Sequence, residues 1–159
     1  MPWNEFGWDF GKHDDWGIGY DSTYFENTFA ELEAHGVNSI RMWIHCDGRA
    51  NPNFDNDGFV TGLDDNMLDQ LNDFVERANE HHLMVIFTLW SHDMLENYTD
   101  EAGEFAGLHQ DLILDEEKTQ SYLNNALIPI VQSLNHHCNI LAWEVFSEPE
   151  WCMKILGGG

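Results

Sequence analysis

The stretch AWEVFSEPEW, residues 142–151, carries three carboxylates into and just past an apolar run. Glu144 lies inside the run, and Glu148 and Glu150 flank Pro149 beyond it. An acid at the mouth of a buried strand is a candidate for proton transfer, and the reaction it can serve depends on the group that faces it. Glu150 is too close to Glu148 in sequence, and points to the other side of the chain, so it is not that group.

Two further apolar runs bring polar groups to the same kind of place when they are read with the two-residue period of a strand. VNSIRMWIH sets Arg41, Trp43 and His45 on one face, against Ile40, Met42 and Ile44. LMVIFTLW and the residues after it set Thr88, Trp90 and His92 against Val85, Phe87 and Leu89. ILAWEVF sets Glu144, Phe146 and Glu148 against Leu141, Val145 and, formally, Trp143. Arg41 and Glu144 share the inward side and can pair there as an ion bridge. Trp43 and Trp143, inside strands, read as core.

The elements that must hold these groups repeat one unit. Residues 23–35 space Phe25, Phe29 and Leu32 at helical intervals, Gly36 ends that helix, and the first strand follows. Asp64 and Asp65 open a second helix with Met67, Leu68, Leu71, Phe74, Val75 and Ala78 on its apolar stripe. Asp115, Glu116 and Glu117 suit the positive end of a third helix, which carries Tyr122, Leu123, Leu127, Ile130, Val131 and Leu134 and is kinked by Pro129. Helix, turn, strand and long loop, three times over, imply parallel strands joined by right-handed crossovers. In an open doubly wound sheet both faces of each strand would be apolar, because helices cover both. Here one face collects ionisable and aromatic groups towards the C-terminal strand ends, where a (β/α)8 barrel builds its site.

Composition excludes several partners. With 29 acidic against six basic residues in 159, a net charge of −23, the chain repels nucleic-acid backbones and anionic membrane surfaces. Its 43% hydrophobic and 13% aromatic content is enough for a folded core. No run is apolar enough to span a bilayer, and MPWNEFGWDF lacks the features of a signal peptide. Cys138 and Cys152 flank a predicted strand and stand roughly over 20 Å apart, too far to bridge, whereas Cys46 with Cys152 stays open beside three free thiols. The pairs His81–His82 and His136–His137 end helices at the bottom of the barrel, where a cation is favoured by the helix dipole, and read as that rather than as ligands. Asn53, Asp55, Asp57, Gly58 and Asp64 match a calcium-loop spacing except for Asp where Glu is usual, but no helix precedes them and an ordinary loop is the expectation.

Four segments in order, NEFGWDFG, HGVNSIRMWIHCDGR, GLDDNMLDQLNDFVERANEHHLMVIFTLWS and AWEVFSEPEW, resemble glycoside hydrolase family 5, of clan A, in its mannanase-like and cellulase-like members. The resemblance covers nearly all of residues 3–151. It implies a partial (β/α)8 TIM barrel of about strands one to four over residues 1–152, followed by a non-family tail, 153–159. It further implies a retaining endo-β-glycanase acting on β-1,4-linked mannan or glucan, without cofactor or metal and secreted in its full-length form. Glu148 takes the general acid/base position of the family's Asn-Glu-Pro, Ser147 stands where the family has Asn, and Arg41 matches the arginine that orients the nucleophile.

Trp3, Trp8, Trp16, Trp90 and Trp151 fall near predicted strand tops, where rings stack on sugar faces, although any single one reads more readily as core; Trp3, Trp8, Trp90 and Trp151, with His45 and His92, are the candidate substrate-binding groups. His92 is the weaker match, since Trp90 could fill that register. Retaining hydrolysis needs two carboxyl groups about 5 to 5.5 Å apart, and the family's nucleophile comes from a seventh strand that this chain does not supply. The 159 residues are therefore expected to be a fragment, inactive alone, with barrel edges open to self-association. A non-catalytic carbohydrate-binding or orphaned pseudo-enzyme domain, a self-sufficient small α/β domain and a calcium-binding module are the other readings.

Overall fold

The computed structural model describes residues 2–5, 8–9, 18–95, 97–99, 105–107 and 109–152. Trp16, the side chains of Trp3, Trp8 and Cys152, and the tail 153–159 lie outside the described residues. Strand β1 (Pro2–Glu5) is followed by the short pair β2 (Trp8–Asp9) and β3 (Ile18–Gly19), then by helix α1 (Ser22–Ala34) and strand β4 (Ser39–Cys46). A hairpin of β5 (Asn53–Phe54) and β6 (Val60–Gly62) leads to α2 (Met67–Glu80) and β7 (Met84–Trp90). A second hairpin, β8 (Asn97–Thr99) with β9 (Phe105–Gly107), precedes α3 (Asp111–Leu114), α4 (Glu116–Tyr122), α5 (Ile128–Leu134), β10 (Ile140–Phe146) and α6 (Pro149–Cys152). Strands β1, β4, β7 and β10 pair in parallel in that order, so the expected partial barrel wall is present.

Local chemistry sets the helix ends. Asp21 caps α1 by accepting from the backbone N–H groups of Thr23 (2.9 Å) and Tyr24 (3.1 Å). Gly36, at φ +75°, closes it in the left-handed conformation that glycine adopts without steric cost. Asp115 caps α4 in the same way through Glu117 and Lys118, as its position in the sequence predicts. The second helix differs from expectation. It starts at Met67 behind Asn66, which makes no side-chain cap, and Asp64 Oδ1 instead accepts from Asn53 Nδ2 at 2.9 Å. Pro129 does not break the third helix. Between α4 and α5 the chain takes one wide π turn, Leu123–Leu127, just ahead of the proline, whose missing N–H leaves a gap in the α-helical ladder.

The core lies between one face of the sheet and the helices. Phe74 of α2 is fully buried there, with its ring centroid 5.0 Å from Phe25, 5.3 Å from Phe29 and 6.0 Å from Phe87. Ile40, Met42 and Ile44 from β4 and Val85, Phe87 and Leu89 from β7 line the sheet side. Trp143 joins them by packing 5.2 Å from Phe87, so its formal outward position is the real one. Trp43, expected in the core, is only half-buried and sits on the opposite face beneath Arg41. Leu141 (57% exposed) and Val145 (56% exposed) leave the outer side of β10 open. Among the described residues no helix is long and apolar enough to cross a membrane.

Candidate active site

Alternation along β4 and β7 delivers Arg41 and Thr88 to the inner face, and β10 delivers Glu144 opposite them. Arg41 donates from Nε (2.8 Å) and from Nη2 to Glu144 Oε2, and Thr88 Oγ1 donates to the same oxygen at 2.5 Å. The guanidinium carbon stands 4.2 Å over the Trp43 ring, a cation–π contact. One carboxylate oxygen thus ties three neighbouring strands together, with Thr88 fully buried and Arg41 and Glu144 half-buried. Thr88 is the member that the sequence motifs did not single out, although the two-residue period placed it on this face.

Glu148 lies two residues past β10. Its backbone is left-handed, φ +55°, a conformation that costs a non-glycine residue energy and is concentrated at functional sites. Ser147, buried at 8% exposure, fixes the approach to it by donating its N–H to the Trp90 carbonyl (2.8 Å). His92, in a short 3-10 turn after β7, has Nδ1 3.7 Å from Glu148 Oε2 and Nε2 3.2 Å from Asp93 Oδ1. The His92 and Trp151 rings lie 6.2 Å apart, and Trp151 is 60% exposed. The Glu148 carboxylate is open to a ligand. The nearby acids are engaged, Glu144 by Arg41 and Thr88, and Asp93 by Ser91 and His92.

His45 does not join this group. Trp43 pairs with Thr88 and Cys46 with Trp90, so Ile44 and His45 together oppose Leu89 alone, a bulge that ends with Cys46 at φ +52°. The bulge interrupts the alternation and buries His45 against Tyr122 of α4, ring to ring at 5.6 Å, with Nδ1 bonded to Asn51 Oδ1. Burial pushes its pKa down to about 4, against weaker upward pulls from Asn51. Trp90 is also buried, edge-on to Tyr122 (4.8 Å) and Phe146 (5.1 Å), so its ring packs into the wall. Trp3 and Trp8 are placed only by their backbones, Trp3 opposite Ile40 and Trp8 opposite Ile18.

The loop after β4 is knitted to the one before α3. Asp47 accepts from Arg49 Nε at 2.9 Å, and His109 stacks on Phe54 at 3.8 Å. At Gly48 a side chain would be strained by φ +85°, and its Cβ would meet Met94 Sδ at 2.7 Å, so neighbours would have to shift. The calcium-like spacing is part of the β5–β6 hairpin, in which Asp55 Oδ1 accepts from the backbone of Asp57 and Phe59, 2.9 Å each. Cys138 is a free thiol, and the side chain of Cys152, which the sequence left open as a partner for Cys46, lies outside the described residues.

No protein-family model matches the chain. Two curated relatives do, both named mannan endo-1,4-beta-mannosidase. The one from Mytilus edulis is 31% identical over 154 residues and the one from Cryptopygus antarcticus 33% over 156. Each alignment covers 97% of this chain but only 39% and 38% of the relative, so the chain spans about two fifths of their length. The crystal structure of β-1,4-D-mannanase from Cryptopygus antarcticus superposes with a TM-score of 0.76 at 30% identity, over 94% of this chain and 40% of that one. The chain is therefore similar to about two fifths of these β-mannanases, and its sheet and helices form a partial (β/α)8 barrel.

Proposed function

We propose that the chain supplies the acid/base side of a retaining endo-β-mannanase site, with Glu148 as the proton donor and β-1,4-linked mannan as the substrate. The observation that carries this reading is the placement of Glu148. It is held in a left-handed turn immediately past β10, exposed beside His92 and Trp151, just beyond the strand that supplies Glu144 to the Arg41–Glu144–Thr88 cluster. There the carboxyl group can protonate the glycosidic oxygen as a second carboxylate attacks the anomeric carbon. It can then take a proton from the water that releases the glycosyl-enzyme. Family resemblance assigns that second carboxylate to a seventh strand, outside these 159 residues. Arg41 supports the reading by holding a carboxylate on the inner face, and Trp151 by presenting an open aromatic ring to a sugar.

The test is a chimera in which residues 1–152 replace the matched segment of the Cryptopygus antarcticus mannanase. Release of reducing ends from mannan should fall by about 10²- to 10⁴-fold in Glu148→Gln, while substrates with good leaving groups lose much less. A chimera equally active with and without Glu148 would place the proton donor elsewhere. Ser147 favours a second reading, a carbohydrate-binding domain without turnover. The family's Asn contacts the sugar 2-OH in the transition state, and the shorter serine side chain reaches less far. In an active chimera Ser147→Asn should raise kcat/KM; a chimera that binds manno-oligosaccharides yet releases no reducing ends would favour the second reading.

A further inference from the structure

At the opposite end of β10 from Glu148, three potential metal ligands converge from two elements. A carboxylate oxygen of Glu76 on α2 and one ring nitrogen each of His136 and His137, in the turn between α5 and β10, all lie within 4.8 Å of one another. The two imidazole ring centroids lie 3.9 Å apart, with the rings tilted by 36°. Neither the sheet nor the core uses them: Glu76 and His136 are exposed and His137 is half-buried.

The tautomer of His137 follows from its neighbours. Asn72 lies one helical turn before Glu76, and its Nδ2 donates to the Leu68 carbonyl (2.8 Å) and to Ser133 Oγ (2.7 Å). The Leu68 carbonyl can only accept, so the amide cannot be flipped, and Asn72 Oδ1 must be the atom that faces His137 Nε2 at 2.9 Å. Nε2 therefore carries the proton, and Nδ1 is left with its lone pair free. A ring N–H fixed on an amide oxygen is the arrangement that orients histidines for metal binding.

We propose that Glu76, His136 and His137 form a binding site for a zinc-type divalent ion that pins α2 to the turn entering β10. Two imidazoles and a carboxylate suit Zn²⁺, with a water completing four-coordination. Tetrahedral coordination at about 2.0–2.1 Å requires donors about 3.3 Å apart, a contraction that the exposed side chains of Glu76 and His136 can make by rotation. The helix-dipole role expected of this histidine pair from the sequence does not account for the convergence of Glu76 from another helix. Position at the N-terminal ends of the strands makes the role structural, since chemistry in this fold belongs to the other end.

The experiment is equilibrium dialysis of the untagged chain against ZnCl₂ near neutral pH, with thermal melts in Zn²⁺ and in EDTA. Wild type should show one saturable site and a higher melting temperature with Zn²⁺. His136→Ala and Glu76→Gln, both at exposed positions, should weaken binding at least tenfold and abolish the melting shift. His82→Ala, at an exposed histidine outside the cluster, should change neither. Absence of saturable binding in the wild type, or a saturable site that survives His136→Ala, would overturn the proposal.

Discussion

Replacing Arg41 by Met, and Glu144 by Gln, singly and together, measures how firmly the inner face is organised. At 2.8 Å and an effective dielectric constant of about 20, the attraction between the charges is roughly 6 kcal/mol before the cost of removing both from water. Side-chain exposure of 21% for Arg41 and 38% for Glu144 puts the pair between surface bridges, worth about 0–1 kcal/mol, and buried ones, whose disruption costs about 3–5 kcal/mol. The expected coupling energy is therefore about 1.5 kcal/mol, and Arg41→Met alone should cost about 2 kcal/mol, since Glu144 then keeps only Thr88. Removing one of six basic residues from a chain of net charge −23 is also costly at long range, but the double-mutant cycle cancels that contribution. The assay is urea unfolding followed by tryptophan fluorescence, at two protein concentrations to separate association from unfolding. A coupling below about 0.5 kcal/mol at low salt would mean that β4 and β10 do not turn these side chains to a common face, and the barrel-wall geometry would fall with it.

Phe74→Ala should destabilise the chain by about 4 kcal/mol in the same assay, because a fully buried ring with three aromatic neighbours is lost; a cost under about 1.5 kcal/mol would contradict the packing. Stability should peak near neutral pH. Burial drives the folded-state pKa values of His45 and His109 down to about 4, so the unfolded chain binds more protons below about pH 6.5, and each group removes up to about 1.4 kcal/mol per pH unit as the pH falls towards 5. On the alkaline side, burial alone would lower the His81 pKa, but hydrogen bonds and charge from Glu33 and Glu26 outweigh it and raise it. Its contribution is complete below the ordinary histidine pKa and is lost as pH rises through the raised value. His81→Gln should therefore cost stability at pH 6 and much less at pH 9, and an equal cost at both would refute the assignment. The isolated chain should self-associate in sedimentation through the open side of β10, and Val145→Lys should shift it towards monomer; identical sedimentation of the two would remove that surface from the account.

The three helix–strand units were legible because their apolar periods are long and their ends carry recognisable signals, such as Asp115 at the start of α4 and Gly36 after α1. The meeting of Arg41 with Glu144 was legible from counting by twos. What counting missed was the bulge after Trp43, which has no marker of its own in VNSIRMWIH and which removes His45 from the face that alternation assigns it. Trp90 shows a related limit: strand position gave it the correct face near the strand end, but not the burial created by Tyr122 from α4 and Phe146 from β10. The convergence of Glu76 with His136 and His137 depends on α2 and α5 lying side by side, contacts separated by about sixty residues that no local pattern encodes.

The order of strands in the sheet, β1, β4, β7, β10, is also their order along the chain. Each strand that leaves the ribosome can therefore add to the edge formed by the one before it, with the intervening helix already made and able to cover the new surface. Ordering need not wait for a distant partner, and the closure entropy of each step is that of one helix and its loops rather than of the whole polypeptide. The same arrangement means that the newest strand is always the uncovered one. During synthesis, the apolar outer side of β10 is the surface on which a chaperone would find this protein.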